Sequence, residues 1–302
     1  MNISEFEGGM PAHSAHPLCE SLESRVHLSH SAATGLTRST EYSAHSHSLV
    51  MKSSPSVRKR THSIVRASTI APATDLGGSI TGTASDGKMS IPYRFYIPQL
   101  VTPAQKVPLI LFLHGRGDGG TDNVSQTFWM KNLRANTTSG QYPAYILAPQ
   151  IQLGADWYSL GKQPAEIETL LISLMKQILP YQPNIDPARI YITGVSAGAL
   201  GVWDLLQRNP KFFAAGVPMS GALGRNIAPR LKSIPIWVFH GAADVGVPPS
   251  YTRELITAII KAGGTPWYTE IPDGGHFIWD GVYAMPSLYA WMFAQHLTHH
   301  GK

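Results

Sequence analysis

The chain has almost no cysteine and no long apolar run. Cys19 is the one cysteine among 302 residues, so no intramolecular disulfide can form and the rest of the chain cannot use a thiol nucleophile. No run of about 18 apolar residues occurs, so we expect no membrane-spanning helix. Neither Met1 nor Met51, the two candidate start sites, is followed by the apolar segment of a conventional signal peptide. These absences leave the compartment open.

The first 74 residues also lack a sustained apolar pattern. They are rich in Ser, Thr and His, and no Asp or Glu occurs between Glu41 and Asp75. Such a composition predicts a disordered tail over residues 1–74, followed by a folded catalytic domain over residues 75–302. Seven of the thirteen histidines lie in the tail, where their irregular spacing favours a polar tract over a metal site. The net charge of +5 divides into +2 for the tail and +3 for the domain, too little to predict nucleic-acid binding.

One short stretch of the tail resembles an export-associated element. Residues 19–29 read CESLESRVHLS. They are similar to the Leu-Glu-x-Arg-x-Leu-Leu-Ser element near the N-terminus of many exported bacterial proteins, with His27 in place of a leucine. This resemblance favours an exported or extracellular protein, and an uninformative tail is the alternative.

From about residue 76, strand-like and helix-like segments alternate. This alternation predicts an α/β fold with a mostly parallel central sheet and helices on both faces. Val107–Leu113 is a near-continuous apolar run, typical of a strand buried on both sides. Residues 165–179 have apolar side chains at helical spacing, and Pro180 is expected to end that helix. The other predicted elements are strands at 89–97, 145–148, 189–193, 213–219, 234–239 and 266–271, and helices at 199–208, 250–261 and 285–297.

The most informative segment is Gly194-Val195-Ser196-Ala197-Gly198. It follows the β-forming run at 189–193 and precedes a helix-like run, which is the strand–turn–helix setting of a nucleophile elbow. The sharp turn forces the serine into a strained backbone conformation, so small residues are needed on both sides. The amide N–H groups at the start of the helix point towards developing negative charge. We therefore predict that Ser196 is a nucleophile.

A serine hydroxyl needs a neighbouring base at neutral pH. In this strand–turn–helix architecture an acid and then a histidine follow the serine, each in a loop after a strand. Asp244 follows the apolar strand at 234–239, and His276 follows the predicted strand at 266–271 after two glycines. We predict that His276 is the base and that Asp244 fixes its tautomer.

The alternatives to these two residues occupy less suitable positions. Asp273 shares the histidine's loop, where an Asx-type turn with the glycines is expected, and Asp280 lies beyond it. His114 and His240 stand at the ends of buried strands, where structural roles are expected. His240 is expected to shape the loop that carries Asp244.

The glycine-rich loop at residues 114–120 supplies the remaining part of the predicted site. Its glycines allow backbone N–H groups to converge on an oxyanion. We assign the oxyanion hole to the N–H groups of Ala197, the residue after the nucleophile, and Arg116, with Gly117 as the alternative. These residues predict a two-step acyl transfer through Ser196 that needs neither a metal ion nor an organic cofactor.

Residues 88 to 291 resemble the α/β-hydrolase serine esterases related to polyhydroxybutyrate depolymerases and feruloyl esterases, a group that also carries the label of predicted peptidases. The blocks that carry the resemblance are 92–98, 113–123, 148–150, 157, 185–194, 237–241, 275–276, 279–280 and 283. The resemblance implies the α/β-hydrolase fold without a large lid domain and a serine-esterase activity. The oxyanion loop departs from the group, because Arg116-Gly117-Asp118-Gly119-Gly120 stands where relatives carry a small residue, Gly, Glu and Arg. The backbone N–H groups of this loop can still bind an oxyanion, but the loop's side chains are not expected to recognise substrate as they do in relatives.

The substrate is left open at this stage. Trp129, Trp157 and Trp279 are predicted to contact an aromatic acyl group or a sugar, with core packing as the alternative. Only about a dozen residues lie between Ser220 and Ile234, so we expect an open site. That site suits a small or polymer-borne ester: short-chain, feruloyl- or acetyl-carbohydrate, or polyester. A serine peptidase on the same fold and a catalytically silent binding domain are the alternative functions.

Overall fold

The computed structural model describes residues 78–99, 101–138, 140–158 and 166–297. The predicted disordered tail, with Cys19, Met51 and the element at residues 19–29, lies outside the described residues. Within the described ranges, no helix combines the length and the apolar character needed to cross a membrane.

A single sheet passes through the described part of the chain. Its eight strands are β1 Ser79–Ser85, β2 Ser90–Tyr96, β3 Val107–Leu113, β4 Tyr145–Pro149, β5 Ile185–Val195, β6 Ala215–Met219, β7 Trp237–Gly241 and β8 Trp267–Ile271. They lie in the order β1-β2-β4-β3-β5-β6-β7-β8. β2 pairs antiparallel with both β1 and β4, and all other neighbours pair in parallel. The prediction of a mostly parallel sheet is therefore confirmed.

Helices connect these strands. Within the described residues the α-helices are α1 Lys131–Thr137, α2 Glu166–Tyr181, α3 Ala197–Arg208, α4 Ala228–Leu231, α5 Pro249–Lys261, α6 Trp279–Tyr283 and α7 Pro286–Phe293. Short 3₁₀ helices cover Arg116–Asp118, Ser125–Met130 and Arg225–Ile227.

The two faces of the sheet bury separate apolar clusters, because successive side chains of a strand point to opposite faces. Leu109, Leu111 and Leu113 of β3 pack in one cluster, whereas Ile110 and Phe112 pack in the other. All seven residues of β3 are buried, as expected for a continuous apolar run in a parallel sheet that is covered on both faces.

The observed elements differ from the predicted ones at several points. α2 continues through Pro180 and ends at Tyr181, because a proline in the last turn of a helix removes a single hydrogen bond. α7 ends at Phe293, short of the predicted end at residue 297. β1 has no counterpart among the predicted strands, because Ser79–Ser85 is a mostly polar edge strand with few of the apolar residues that mark a buried one.

The parallel strands bring four loops to one edge of the sheet. β3, β5, β7 and β8 end at the same edge, and the loops that follow them carry Arg116, Ser196, Asp244 and His276. The connection between β6 and β7 holds one 3₁₀ turn and the four-residue α4. No large lid is inserted in that connection, as predicted.

Candidate active site

Ser196 occupies a sharp turn between β5 and α3. Its backbone has φ 54° and ψ −117°, a conformation that costs a residue other than glycine on the order of 1–3 kcal/mol. The Ser196 N–H donates a hydrogen bond of 2.9 Å to the carbonyl oxygen of Met219 at the end of β6. The turn is thereby attached to the neighbouring strand, and the surrounding structure maintains its strained geometry.

The two glycines of the Gly-x-Ser-x-Gly segment are required by backbone packing. A Cβ atom at Gly194 would lie 2.6 Å from the carbonyl oxygen of Gly198, and one at Gly198 would lie 2.1 Å from the carbonyl oxygen of Leu113. Both obstacles are backbone atoms that cannot rotate away. The segment therefore allows α3 to begin directly against the ends of β3 and β5.

A hydrogen-bonded chain connects Ser196, His276 and Asp244. His276 Nε2 lies 2.9 Å from Ser196 Oγ, and His276 Nδ1 lies 2.7 Å from Asp244 Oδ2. An ionised carboxylate only accepts hydrogen bonds, so Nδ1 carries a proton and donates it to Asp244. Nε2 then has a free lone pair that accepts the hydroxyl proton of Ser196. The structure thus brings together the three residues that the sequence analysis selected.

Asp244 is held in place by several donors. Its Oδ1 accepts the backbone N–H groups of Gly246 at 2.9 Å and Val247 at 2.8 Å. Burial by itself would raise the pKa of Asp244, but the hydrogen bonds from Val247, His276 and Gly246 hold the pKa below its ordinary value. The carboxylate is therefore ionised at neutral pH.

His240 supports the loop of Asp244. Its Nε2 faces two oxygens, the carbonyl of Val247 at 2.9 Å and Asp244 Oδ2 at 3.2 Å. Both oxygens are acceptors, so Nε2 carries a proton and Nδ1 accepts the hydroxyl of Thr252 at 2.8 Å. The side chain is fully buried, so His240 has the structural position expected from the sequence.

The loop after β3 passes beside Ser196. A Cβ atom at Gly115 would lie 3.7 Å from the Cβ atom of Ser196. Arg116 and Ala197 each begin a helical turn, where the first N–H groups have no intrahelical acceptor. In the part of the chain that the structure describes, neither N–H group donates a hydrogen bond. Both donors that the sequence analysis assigned to an oxyanion hole are consequently available beside the serine.

His114 secures the start of this loop. Its Nε2 accepts the backbone N–H of Ile151 at 3.2 Å, so the proton lies on Nδ1 and is donated to the carbonyl oxygen of Gly115 at 2.7 Å. Burial lowers the pKa of His114 to about 4, against a smaller opposing effect of the Gly115 hydrogen bond. The imidazole is neutral at neutral pH and has a structural role.

Gln150 and Asp118 fix the remainder of the loop. The buried side-chain amide of Gln150 donates to the carbonyl oxygen of Asp118 at 3.2 Å, and its Oε1 accepts the N–H of Asn123 at 2.7 Å. Burial raises the pKa of Asp118 to about 6, although hydrogen bonds from the Gly115 backbone and the Trp129 side chain oppose this change. Gln150 therefore holds the loop at both Asp118 and Asn123.

The three predicted tryptophan contacts have different outcomes. Trp157 is only 1% exposed, and its indole N–H donates to the carbonyl oxygen of His114 at 2.9 Å, so the prediction that it contacts a substrate is wrong. Trp279 is 2% exposed and packs edge-on against His276 at a centroid distance of 5.5 Å. The prediction for Trp279 is also wrong, because its ring is buried behind His276 and has almost no surface that a substrate could contact. Trp129 is half-buried and remains a candidate.

Two aromatic residues beside the site were not singled out from the sequence. Phe277 is 68% exposed and packs against the His276 ring at 5.4 Å, and Phe128 is 70% exposed and packs against Trp129 at 4.7 Å. The available signal was their position, since each lies next to a selected residue in a loop where no core pattern requires an aromatic side chain. Across the described ranges, no group of three His, Cys, Asp or Glu residues is arranged to hold a metal ion.

The fold of this chain is similar to that of a solved esterase structure. A thermostable esterase is 32% identical in sequence to this chain and superimposes on it with a TM-score of 0.64, over 72% of this chain and 62% of the esterase chain. The protein has the α/β-hydrolase fold. No protein-family model matches the chain.

Two curated relatives match parts of this chain. The bifunctional acetylxylan esterase/xylanase of Neocallimastix patriciarum is 25% identical over 150 residues, which cover 49% of this chain and 21% of the relative. The poly(3-hydroxyalkanoate) depolymerase C of Paucimonas lemoignei is 29% identical over 122 residues, which cover 38% of this chain and 28% of the relative. This chain thus spans less than two thirds of each of these three proteins.

Proposed function

We propose that this protein is a serine carboxylic-ester hydrolase that acts through an acyl-enzyme. The observation that carries the proposal is the hydrogen-bonded chain from Asp244 through His276 to Ser196, placed at a strained turn beside two unpaired backbone donors. The similarity to esterases supports an ester as the substrate.

In the first step, Ser196 Oγ attacks the ester carbonyl carbon while His276 Nε2 takes the hydroxyl proton. The resulting imidazolium is stabilised by Asp244, which also keeps Nε2 directed at the serine. The carbonyl oxygen becomes an oxyanion that accepts hydrogen bonds from the N–H groups of Ala197 and Arg116. Losing one such donor typically costs about 2.7–4 kcal/mol of transition-state stabilisation.

The tetrahedral intermediate then releases the alcohol. His276 Nε2 returns its proton to the leaving oxygen, and the acyl group remains on Ser196 as an ester. A water molecule repeats the sequence: His276 removes its proton, its oxygen attacks the acyl carbon, and the acid leaves as Ser196 regains its proton. Each proton that leaves Ser196 or water passes through the same Nε2 atom.

The site is compatible with several ester classes. The short connection between β6 and β7 leaves no lid over Ser196 from that side, which suits bulky or polymer-borne esters as well as small ones. The names of the relatives point to acetylated carbohydrate and to polyester. We propose short-chain, feruloyl- or acetyl-carbohydrate and polyester-type esters as the substrates to examine.

The experiment that tests this function compares hydrolysis of p-nitrophenyl acetate, p-nitrophenyl octanoate and methyl ferulate. Ser196→Ala is expected to lower kcat by roughly 10⁶-fold, as loss of a nucleophile in such a constellation does. Ser220→Ala is the matched control, since Ser220 is another serine with positive φ at the end of a strand, and this variant should retain turnover. Equal turnover by the wild type and Ser196→Ala would refute the proposal. Absence of wild-type turnover on all three esters would favour the peptidase or silent-domain alternative.

A further inference from the structure

Three aromatic side chains in mutual contact, two of them exposed and the middle one half-buried, lead away from His276. Phe277 touches the His276 ring, Trp129 lies 5.5 Å from Phe277, and Phe128 lies 4.7 Å from Trp129, measured between ring centroids. We call Phe128, Trp129 and Phe277 the aromatic strip. Phe128 and Phe277 are among the most exposed large apolar residues in the described part of the chain. Contiguous exposed apolar surface of this kind marks a binding surface more often than isolated exposed residues do.

The aromatic strip is fixed from behind. Trp279 is buried and contacts Trp129 at 5.4 Å and Phe277 at 5.0 Å. The rings therefore have defined positions before a ligand arrives, which reduces the entropy lost on binding.

The position of the strip relative to the reacting atoms indicates which half of an ester it meets. The leaving oxygen must come within hydrogen-bond reach of His276 Nε2 to receive its proton. The alcohol half of the ester therefore begins beside the His276 ring, and Phe277 is an exposed apolar side chain that packs against this ring. Trp129 and Phe128 lie successively farther out, so only a large alcohol group reaches them.

The aromatic side chains of the strip favour a ligand that presents the face of a ring. Aromatic side chains pair with other rings in stacked or edge-on geometry, which adds about 0.5–1.5 kcal/mol per pair beyond the burial of area. The C–H face of a pyranose ring packs on an aromatic face in a similar way. Within the strip itself, every side chain is aromatic.

We propose that the aromatic strip is the subsite for the alcohol half of the substrate and that it selects esters whose alcohol carries a six-membered ring. This inference rests on the proposed esterase function. It assigns Phe128 and Phe277 as specificity-determining residues, with Trp129 between them. The ring is either a sugar or an aryl group, and the two sources are separated by the experiment.

The test compares acetate esters that differ in the alcohol: methyl, cyclohexyl and benzyl acetate and a mono-acetylated methyl glucoside. Methyl cinnamate carries its ring on the acyl side instead. The readout is kcat/KM for each ring-bearing ester relative to methyl acetate, a ratio that cancels intrinsic reactivity when variants are compared. Phe128→Ala is the principal variant, because Trp129 and Phe277 separate Phe128 from His276. Tyr181→Ala is the control, an exposed aromatic on α2 outside the site.

We expect Phe128→Ala and Phe277→Ala to lower the ratio for ring-bearing alcohols about 3- to 10-fold. The methyl cinnamate ratio should stay within about twofold, as should all ratios in Tyr181→Ala. A decrease for the glucoside identifies a sugar subsite, and a decrease confined to benzyl acetate identifies an aryl subsite. Unchanged alcohol ratios in both phenylalanine variants would overturn the inference, as would a decrease confined to methyl cinnamate. If turnover did not depend on Ser196, the esterase proposal itself would fail, which the Ser196→Ala control reveals separately.

Discussion

Replacing Asp244 by asparagine provides the most direct test of the hydrogen-bonded chain. The carboxylate accepts hydrogen bonds on both oxygens: two backbone N–H groups on Oδ1, and His276 Nδ1 with His240 Nε2 on Oδ2. An asparagine can present an acceptor to one of these two sets only. If its oxygen keeps the N–H groups of Gly246 and Val247, its NH₂ group faces His276 Nδ1.

In that arrangement His276 accepts at Nδ1 and its proton moves to Nε2. Nε2 can then no longer accept the Ser196 hydroxyl proton, so the base is lost although every ring keeps its position. A comparable exchange in a related constellation lowers kcat about 10⁴-fold, which corresponds to roughly 5.5 kcal/mol of activation free energy. In the opposite amide orientation, the NH₂ group would leave two buried N–H groups without an acceptor, at about 1–3 kcal/mol each.

The assay is steady-state hydrolysis of p-nitrophenyl acetate, accompanied by thermal unfolding to establish that the variant is folded. Asp273→Asn is the matched control, because Asp273 is an exposed acid on the same loop as His276 and was the alternative acid in the sequence analysis. It should leave kcat within about twofold. A folded Asp244→Asn variant that loses less than about tenfold in kcat, or an equal loss in Asp273→Asn, would refute the assignment of Asp244.

Two further predictions concern stability. Burial raises the pKa of Glu168 to about 7 from an ordinary value of 4.5, because the folded state favours the neutral carboxyl group. The resulting contribution to folding stability is fully present below pH 4.5 and is lost as the pH rises through about 7. The loss amounts to about 3 kcal/mol, and urea unfolding at pH 5 and pH 8 should show that Glu168→Gln reduces this dependence; an unchanged dependence would contradict the prediction. Gly198→Ala places a Cβ atom 2.1 Å from a backbone oxygen and should lower stability by about 3 kcal/mol or more. Differential scanning calorimetry should show a lower Tm for this variant and almost no change for Gly281→Ala, whose Cβ atom would meet nothing within 4 Å; equal Tm values would contradict the packing argument.

Much of the central fold was accessible from local sequence patterns. β3 is buried on both faces, as its continuous run of apolar residues predicted. The order of Ser196, Asp244 and His276 along the chain, each after a strand, placed all three at one sheet edge before their distances were known. Such features depend on residues close in sequence and on the general geometry of parallel strands, so they can be predicted from a single sequence.

The parts that escaped prediction depend on tertiary contacts. Trp157 and Trp129 are the same residue type in loop-like sequence, but the first donates its indole N–H inside the core and the second stands half-buried beside the site. No local pattern distinguishes them, because burial is decided by whatever packs against each ring. Gly201 illustrates the same dependence: a Cβ atom there would meet Trp157 at 2.5 Å, a constraint that joins two segments far apart in sequence.

The strained turn at Ser196 also bears on how this chain tolerates change. At φ 54° glycine is the residue that backbone energetics favour, so Ser196→Gly is expected to relieve strain and raise the stability of the fold while it removes the hydroxyl group. Selecting variants for thermal stability alone would therefore favour chains that have lost the Ser196 hydroxyl group.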